Sequence, residues 1–150
     1  QAETEAELLL AFGAQVELWI DEDARAVAEG FNYAQDPFLI AHNAAFDLGF
    51  LWRRAIVNGV RLPFKVPGPM ARAGQHYGDT MLMWAGFGQR VSLDALCRAL
   101  GVPSPKAGGF DGSQVYDAWL AGEHERIAQY NLTDALATME VWHRLQGGAA

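Results

Sequence analysis

Two aspartates and one tyrosine have the types and spacing that could do chemistry in this sequence. Asp47 ends the stretch 38–47, which runs from apolar residues into a polar turn and presents an acid at the start of a predicted helix. In open α/β sheets, the crevice beside the carboxyl ends of the strands is where ligands bind. Tyr130 and Asp134 are one helical turn apart, so their hydroxyl and carboxylate can address the same point in space.

Asp47 and Asp134 together suit a divalent metal ion held between elements that are distant in the sequence. Mg²⁺ is typically bound by one or two carboxylates, with water molecules and phosphate oxygens completing its shell. Such a pair, completed by further acids, is how two-metal phosphodiester hydrolysis is built. Tyr130 would then orient the attacking water. The structural alternative is that Asp134 caps a helix or pairs with an arginine.

The last predicted helix runs from residue 123 to about residue 146 and carries Tyr130 and Asp134. At 100° per residue, both lie in the middle of an apolar stripe. The other members of that stripe are Ile127, Val141 and Leu145. A carboxylate on an apolar face is costly unless a cation or a metal ion compensates it. The pattern therefore favours a function for Asp134.

The first half of the chain predicts helices around one short strand. Residues 3–20 have apolar residues at helical spacing, and residues 21–23 interrupt this helix or start a second one over 24–29. Gly30 and Asn32 are plausible stops for that second helix. Residues 38–41 are continuously apolar, which predicts a strand buried on both faces.

A helix is predicted to follow Asp47 and to end at Asn58-Gly59. Residues 60–78 are rich in proline and glycine, which predicts a loop with at most one short edge strand. Regular structure resumes over 79–84. Ser92 is the predicted N-cap of a helix that ends at Gly101, and Asp111 or Ser113 would cap a helix through Leu120.

The composition predicts one domain without a membrane span. The chain has 150 residues, of which 51% are hydrophobic, which is enough to bury a core. It contains no run of 18 apolar residues. Cys97 is the single cysteine, so no disulfide can form within the chain, and a reducing cytoplasm is expected. Cys97 itself reads as a small core residue rather than a nucleophile.

The charge is unevenly distributed along the chain. The net charge is −7, which argues against a general nucleic-acid binder. Residues 53–106, however, hold eight Lys and Arg side chains against two aspartates, a net charge of +6. This segment is where a polyanion would bind, although a solvated surface that happens to be basic is an equal alternative.

Two of these motifs, in this order, resemble the DEDD 3′–5′ exonucleases. The second family motif stands here as Asn43-Ala44-Ala45-Phe46-Asp47, and the third motif of the tyrosine subgroup stands as residues 130–134. Between them, Gly78-Asp79-Thr80, residues 92–103 and residues 111–115 are similar to the predicted exonucleases related to the proofreading domain of family-B DNA polymerases. The resemblance covers about residues 35–146, preceded by a helical lead-in over 1–32.

The resemblance implies an α/β ribonuclease-H-like (DnaQ-like) exonuclease fold and hydrolysis from the 3′ end of single-stranded DNA or RNA with Mg²⁺ or Mn²⁺. The implied catalytic residues are Asp47, Tyr130 and Asp134, with Asp47 and Asp134 as metal ligands. Asn43, Phe46 and Phe50 are the implied substrate contacts. For Phe46 and Phe50, a place in the core is the alternative, and for Asn43 a role in the turn.

For His42 and Asp79, a structural role is favoured over a catalytic one. His42 is expected to support the turn before Asp47 rather than to act as a general base. Asp79 is expected to bind neighbouring backbone and to stay out of the metal site.

One family motif is missing from the sequence. The first motif, Asp-x-Glu on the first strand, supplies two of four metal-binding acids, and Ala2-Glu3-Thr4 is only a faint echo of it. We therefore expect a fold without its N-terminal strands and a partner chain or an N-terminal fragment that completes the sheet. The rival hypothesis is a non-catalytic ribonuclease-H-like module that binds nucleic acid or protein.

Overall fold

The computed structural model describes residues 4–26 and 37–147, which form two compact units. The first unit comprises Gln1–Leu39 and Ala45–Tyr77, and the second comprises Ile40–Ala44 and Gly78–Ala150. Within the described ranges, the chain forms six α-helices and two short strands.

Helix α1 (Glu5–Ala26) opens the first unit. Its start is capped reciprocally, because the Glu7 N–H donates to Thr4 Oγ1 and the Thr4 N–H donates to Glu7 Oε2, both at 3.2 Å. The helix continues through Asp21-Glu22-Asp23, so the predicted interruption there is wrong. Acidic residues do not by themselves stop a helix that is already propagating. The proposed stops at Gly30 and Asn32 lie outside the described residues.

Only a narrow stripe of α1 is buried. Leu9 and Val16, two turns apart, are buried, whereas Leu8 and Trp19 are more than half exposed. Gly13 lies between the buried pair, where a Cβ would come within 2.8 Å of Pro63 Cδ. Glycine at this position lets the loop approach the helix closely.

Helix α2 (Ala44–Val57) follows the turn at His42-Asn43 and ends at Asn58-Gly59, as predicted. Gly59 has a φ of 64°, the left-handed conformation typical of a residue that ends a helix. The Arg54 guanidinium, late in α2, forms an ion pair with Glu5 of α1, and Asn58 Nδ2 donates to the same carboxylate at 3.1 Å.

Residues 60–77 form the predicted loop. Its one ladder contact is an isolated bridge between Ala73 and Tyr77. Phe64 is buried, and its ring lies 6.0 Å from that of Phe12, edge to face. The buried Phe64 ring therefore packs the proline-rich loop against α1.

The sheet of the second unit has two strands, β1 (Ile40–Ala41) and β2 (Gly78–Asp79), paired in parallel. Its register places Ile40 beside Gly78 and Ala41 beside Asp79. The predicted strand over 38–41 is therefore too long. The prediction of two buried faces is also wrong, because Phe38 is 47% exposed and Ile40 is only half-buried. A strand extends only as far as it has a partner.

Three shorter helices follow the sheet: α3 (Thr80–Ala85), α4 (Leu93–Leu100) and α5 (Val115–Leu120). Ser92 caps α4 through a bond from the Ala95 N–H, and Gly101 ends it at a φ of 67°, both as predicted. Before α5, Asp111 caps a short 3-10 turn with a capping box, so the predicted cap belongs to that turn.

Helix α6 (His124–Gly147) packs against β1, α3, α4 and α5 and confirms the predicted last helix. The Trp142 ring of this helix packs closely on β2, since a Cβ on Gly78 would come within 2.6 Å of the ring. The core of this unit consists of Leu96, Cys97, Val102, Ala137 and Val141. Cys97 is completely buried, which confirms its predicted place in the core.

The described residues combine helices with a small parallel sheet, a mixed composition that agrees with the predicted α/β class. None of the helices in the described ranges combines the length and the apolar character needed to cross a membrane.

The ion pair between Glu5 and Arg54 makes the stability of the first unit depend on pH. The hydrogen bonds from Arg54 and Asn58 lower the pKa of Glu5 from 4.5 to about 2. A depressed carboxyl pKa stabilises the fold above pH 4.5, and this contribution is lost as the pH falls toward 2. The Tm of Glu5→Gln should therefore lie below that of the wild type at neutral pH and approach it near pH 2.

The matched control for this pH series is Glu17→Gln, on the exposed surface of the same helix. It should lose Tm on acidification in parallel with the wild type. A Tm difference for Glu5→Gln that stays constant at every pH would contradict the assignment.

Candidate active site

Asp79 holds together the turn from β1 into α2 and the start of α3. Its Oδ1 accepts the N–H groups of Asn43 at 3.2 Å and of Met81 and Leu82 at 3.1 Å. Its Oδ2 accepts the N–H of Ala44 at 2.9 Å. The carboxylate is 4% exposed. The prediction that Asp79 binds backbone is confirmed, although it stands at the end of β2 and not at the start of a strand.

His42 uses both ring nitrogens within the protein. Nε2 lies 2.9 Å from the carbonyl oxygen of Val91, which can only accept, so Nε2 carries the proton. In the neutral ring, Nδ1 then accepts from the hydroxyl of Thr80 at 3.0 Å. The structural role predicted for His42 is confirmed, because these bonds tie the turn to residues far along the chain.

Asn43 is the one described non-glycine residue in the left-handed region, with a φ of 66°. Asparagine tolerates this conformation better than most residues. Its backbone N–H is also bound to Asp79. The conformation of the turn is therefore enough to explain why this residue is an asparagine, and this is one of its two predicted roles. Its contact with substrate stays a prediction.

Asp47, Phe46 and Phe50 lie on α2 in the first unit. Asp47 is in the first turn, where an acid favours the positive end of the helix dipole, and it is exposed. Phe46 is 69% exposed and Phe50 is 58% exposed, one turn apart. The alternative that these two rings belong to the core is therefore wrong. Their role in binding substrate stays a prediction.

Tyr130 and Asp134 meet on α6 in the second unit. They are one helical turn apart, and both residues are half-buried. Burial first, and then hydrogen bonding with Asp134 and the charge of its carboxylate, raise the pKa of Tyr130 to about 12. The Tyr130 side chain is therefore neutral at physiological pH and keeps its proton as a donor.

Phe110 and Arg126 support Tyr130, and the sequence analysis missed both. The buried ring of Phe110 lies 5.2 Å from the Tyr130 ring, edge to face. The Arg126 guanidinium carbon lies 4.5 Å from the centroid of the Phe110 ring. A usable signal was present: Phe110 is the single large apolar residue in the glycine-rich stretch 108–113.

The described residues offer carboxylate oxygens, the ligands that Mg²⁺ prefers, but not a complete cage. Within residues 4–26 and 37–147, no three His, Cys, Asp or Glu side chains are grouped so that they could hold a metal ion. Asp134 lies one helical turn after Tyr130 on α6 and is half-buried. The donor chemistry therefore fits a hard divalent ion, while further ligands are needed.

Comparison with known proteins gives one match. Residues 21–149 match the family described as a predicted 3′–5′ exonuclease related to the exonuclease domain of PolB. No curated protein and no solved structure matches the chain. The matched segment includes all the candidate residues, from Asn43 to Asp134.

Asp79→Ala should be strongly destabilising, because it leaves four backbone N–H groups of a buried turn without their acceptor. We expect a loss of about 3 kcal/mol in the free energy of unfolding, measured with urea. The control is Asp111→Ala, which removes the cap of a short turn and should cost about 1 kcal/mol. Equal losses for the two variants would contradict the role given to Asp79.

Tyr130 should ionise well above the ordinary tyrosine pKa of 10. The difference in tyrosinate absorbance between the wild type and Tyr130→Phe, recorded with a chelator, should develop near pH 12. A raised pKa stabilises the fold below pH 10, and this contribution is lost as the pH rises toward 12. The stability of the wild type relative to Tyr130→Phe should fall over that interval. An absorbance step centred at pH 10 would contradict the contact.

Proposed function

This chain belongs to the family of predicted 3′–5′ exonucleases related to the exonuclease domain of PolB, and we propose that it hydrolyses phosphodiester bonds at the 3′ end of DNA or RNA in a metal-dependent reaction. The observation that carries the proposal is the placement of Tyr130 and Asp134, both half-buried, one turn apart on α6. A donor beside a carboxylate is what the positioning of an attacking water requires.

Tyr130 acts as the residue that orients the water. Because its pKa is raised to about 12, the hydroxyl stays neutral, donates to Asp134 and keeps lone pairs that accept from a water molecule. The edge-to-face contact with Phe110 restrains the ring. The water is thereby held on one side of the Asp134 carboxylate.

Asp134 and Asp47 are the proposed ligands of Mg²⁺ or Mn²⁺. When bound, a pair of such ions lowers the pKa of the attacking water and stabilises the leaving oxygen. Asp47 stands at the start of α2, after a turn that is held by Asp79. Asp134 projects from a helix whose later turns are core, since Val141 is completely buried.

Phe46 and Phe50 are the proposed contacts for the unpaired 3′ end. Single-stranded nucleic acids stack their bases on exposed aromatic rings, and each ring on α2 is more than half exposed. Asn43, in the preceding turn, is proposed to bind the same end of the strand. The single cysteine is a buried thiol, which suits the proposed cytoplasmic location.

The remaining metal ligands are proposed to come from outside the described residues, on an N-terminal fragment or a partner chain within a ribonuclease-H-like fold. Two observations support this. The described residues contain no group of three ligands. In addition, α6 exposes an apolar row at helical spacing, formed by Leu132, Leu136 and Met139.

The second candidate function is a non-catalytic module that binds nucleic acid or protein. The absence of a three-ligand group from the described ranges favours it. A titration with Mg²⁺ separates the two, because a metal site raises the Tm with increasing Mg²⁺ whereas a module without one does not respond.

Asp47→Asn and Asp134→Asn should each lower the rate of degradation of a 3′-labelled single strand by at least about 100-fold, because each removes a charged ligand of the metal site. Tyr130→Phe should lower it less, by about 10-fold. The control is Asp117→Asn, an exposed acid of α5 that should leave the rate unchanged. Unchanged rates for both of the first two variants would reject the proposed enzyme.

A further inference from the structure

The first unit contains a cavity of about 620 Å³ beside α2 that the proposed catalytic residues do not use. Its lining residues come from the approach to β1, from α2 and from the loop 65–76, all within the first unit. This volume lies within the ordinary range of small-molecule sites.

Aromatic and proline side chains form much of the wall of the cavity. Phe38 and Trp52 line it, together with Pro67 and Pro69. Gly68 also lines it and lies against Trp52, since a Cβ there would come within 3.2 Å of Trp52 Nε1. Aromatic rings offer a surface on which a planar ring can stack, and proline has little conformational freedom to lose on binding.

The polar groups of the cavity are two potential cations and an amide, namely Lys65, His76 and Gln75. His76 Nδ1 accepts the backbone N–H of Arg72 at 3.0 Å, so in the neutral ring Nε2 carries the proton and is a donor. Lys65 and the Nε2–H of His76 are both suited to an anionic oxygen. No carboxylate lines the cavity.

The helix and the loop that line the cavity are basic, although α1 of the same unit is acidic. Residues 45–77 contain five Lys and Arg side chains and one aspartate, a net charge of +4. Arg54 of this segment is already paired with Glu5 of α1. The basic character is therefore local to the loop that carries Lys65 and Arg72, which suits a single phosphate group.

We propose that this cavity binds one nucleotide of a single-stranded nucleic acid, with the base against Trp52 and the phosphate at Lys65 and His76. The inference rests on the proposed function for its substrate class. It adds a second subsite: on a helical wheel Trp52 lies more than 100° from both Phe46 and Phe50, so the cavity is on a different side of α2 from the proposed 3′-end contacts.

The test is the affinity of the protein for a fluorescent oligothymidylate, measured by anisotropy in EDTA so that hydrolysis is suppressed. Ala71→Leu fills the cavity without removing a charge, because Ala71 lines it. Ala11→Leu, on the exposed surface of α1, is the matched control. We expect Ala71→Leu to weaken binding about 10-fold, as the loss of one stacked base predicts, and Ala11→Leu to leave it unchanged.

Two charge-reversal variants distinguish binding in the cavity from nonspecific electrostatic attraction of the strand to the protein. Lys65→Glu should weaken binding more than Arg61→Glu, since Arg61 carries the same charge outside this cavity. The nucleotide in the cavity could be part of a strand or a free nucleotide, and thymidine monophosphate as a competitor distinguishes the two. If it displaces the oligonucleotide, the cavity also binds free nucleotide. If it does not, the cavity binds a nucleotide only within a strand.

Equal affinities of Ala71→Leu and Ala11→Leu for the oligonucleotide would overturn the inference. Equal losses of affinity in Lys65→Glu and Arg61→Glu would also overturn it. The catalytic proposal fails separately. Asp134→Asn should abolish hydrolysis in Mg²⁺ and keep the binding measured in EDTA. A wild type that binds the strand but never hydrolyses it rejects the exonuclease and leaves the cavity in place.

Discussion

The second unit depends on one buried carboxylate. Asp79 accepts four backbone N–H groups, two from the turn into α2 and two from the start of α3. Each of these N–H groups lies at a helix start or in a tight turn, where the regular backbone pattern provides no partner. A single anion therefore satisfies two helix starts at once, and its removal would leave several buried donors unpaired.

This constraint determines where the candidate residue Asp47 lies. With the Asn43 and Ala44 N–H groups bound to Asp79, the chain takes a left-handed step at Asn43 and enters α2 at once. Asp47 then falls in the first turn of that helix. His42 reinforces the turn through Thr80 and Val91, so an aspartate, a histidine and an asparagine near the candidate site all serve the backbone.

Helix α6 carries both core residues and two of the candidate site residues. Its Val141 and Ala137 are core, and its Trp142 packs closely on Gly78 of the sheet. Asp134 lies less than one turn before Ala137, and Tyr130 lies one turn further back, beside Phe110; both are half-buried. Because the core holds the adjoining turns, the backbone of α6 fixes the spacing of these two residues.

The sequence by itself determined the features that depend on near neighbours. Spacings of a few residues predicted the bounds of α2, α4 and α6, the Ser92 cap and the placement of Tyr130 and Asp134 one turn apart on the same helix. The family followed in the same way, from short motifs in order.

Only the tertiary structure decided the rest. The following features depend on residues far apart in the chain: the shortness of β1, the exposure of Phe46 and Phe50, the bonds from Asn43 and Ala44 to Asp79, the bonds of His42, the contact of Phe110 with Tyr130 and the cavity beside Trp52. Hydrophobic residue types do not reveal which apolar side chains find a partner, since burial is a property of the packed molecule.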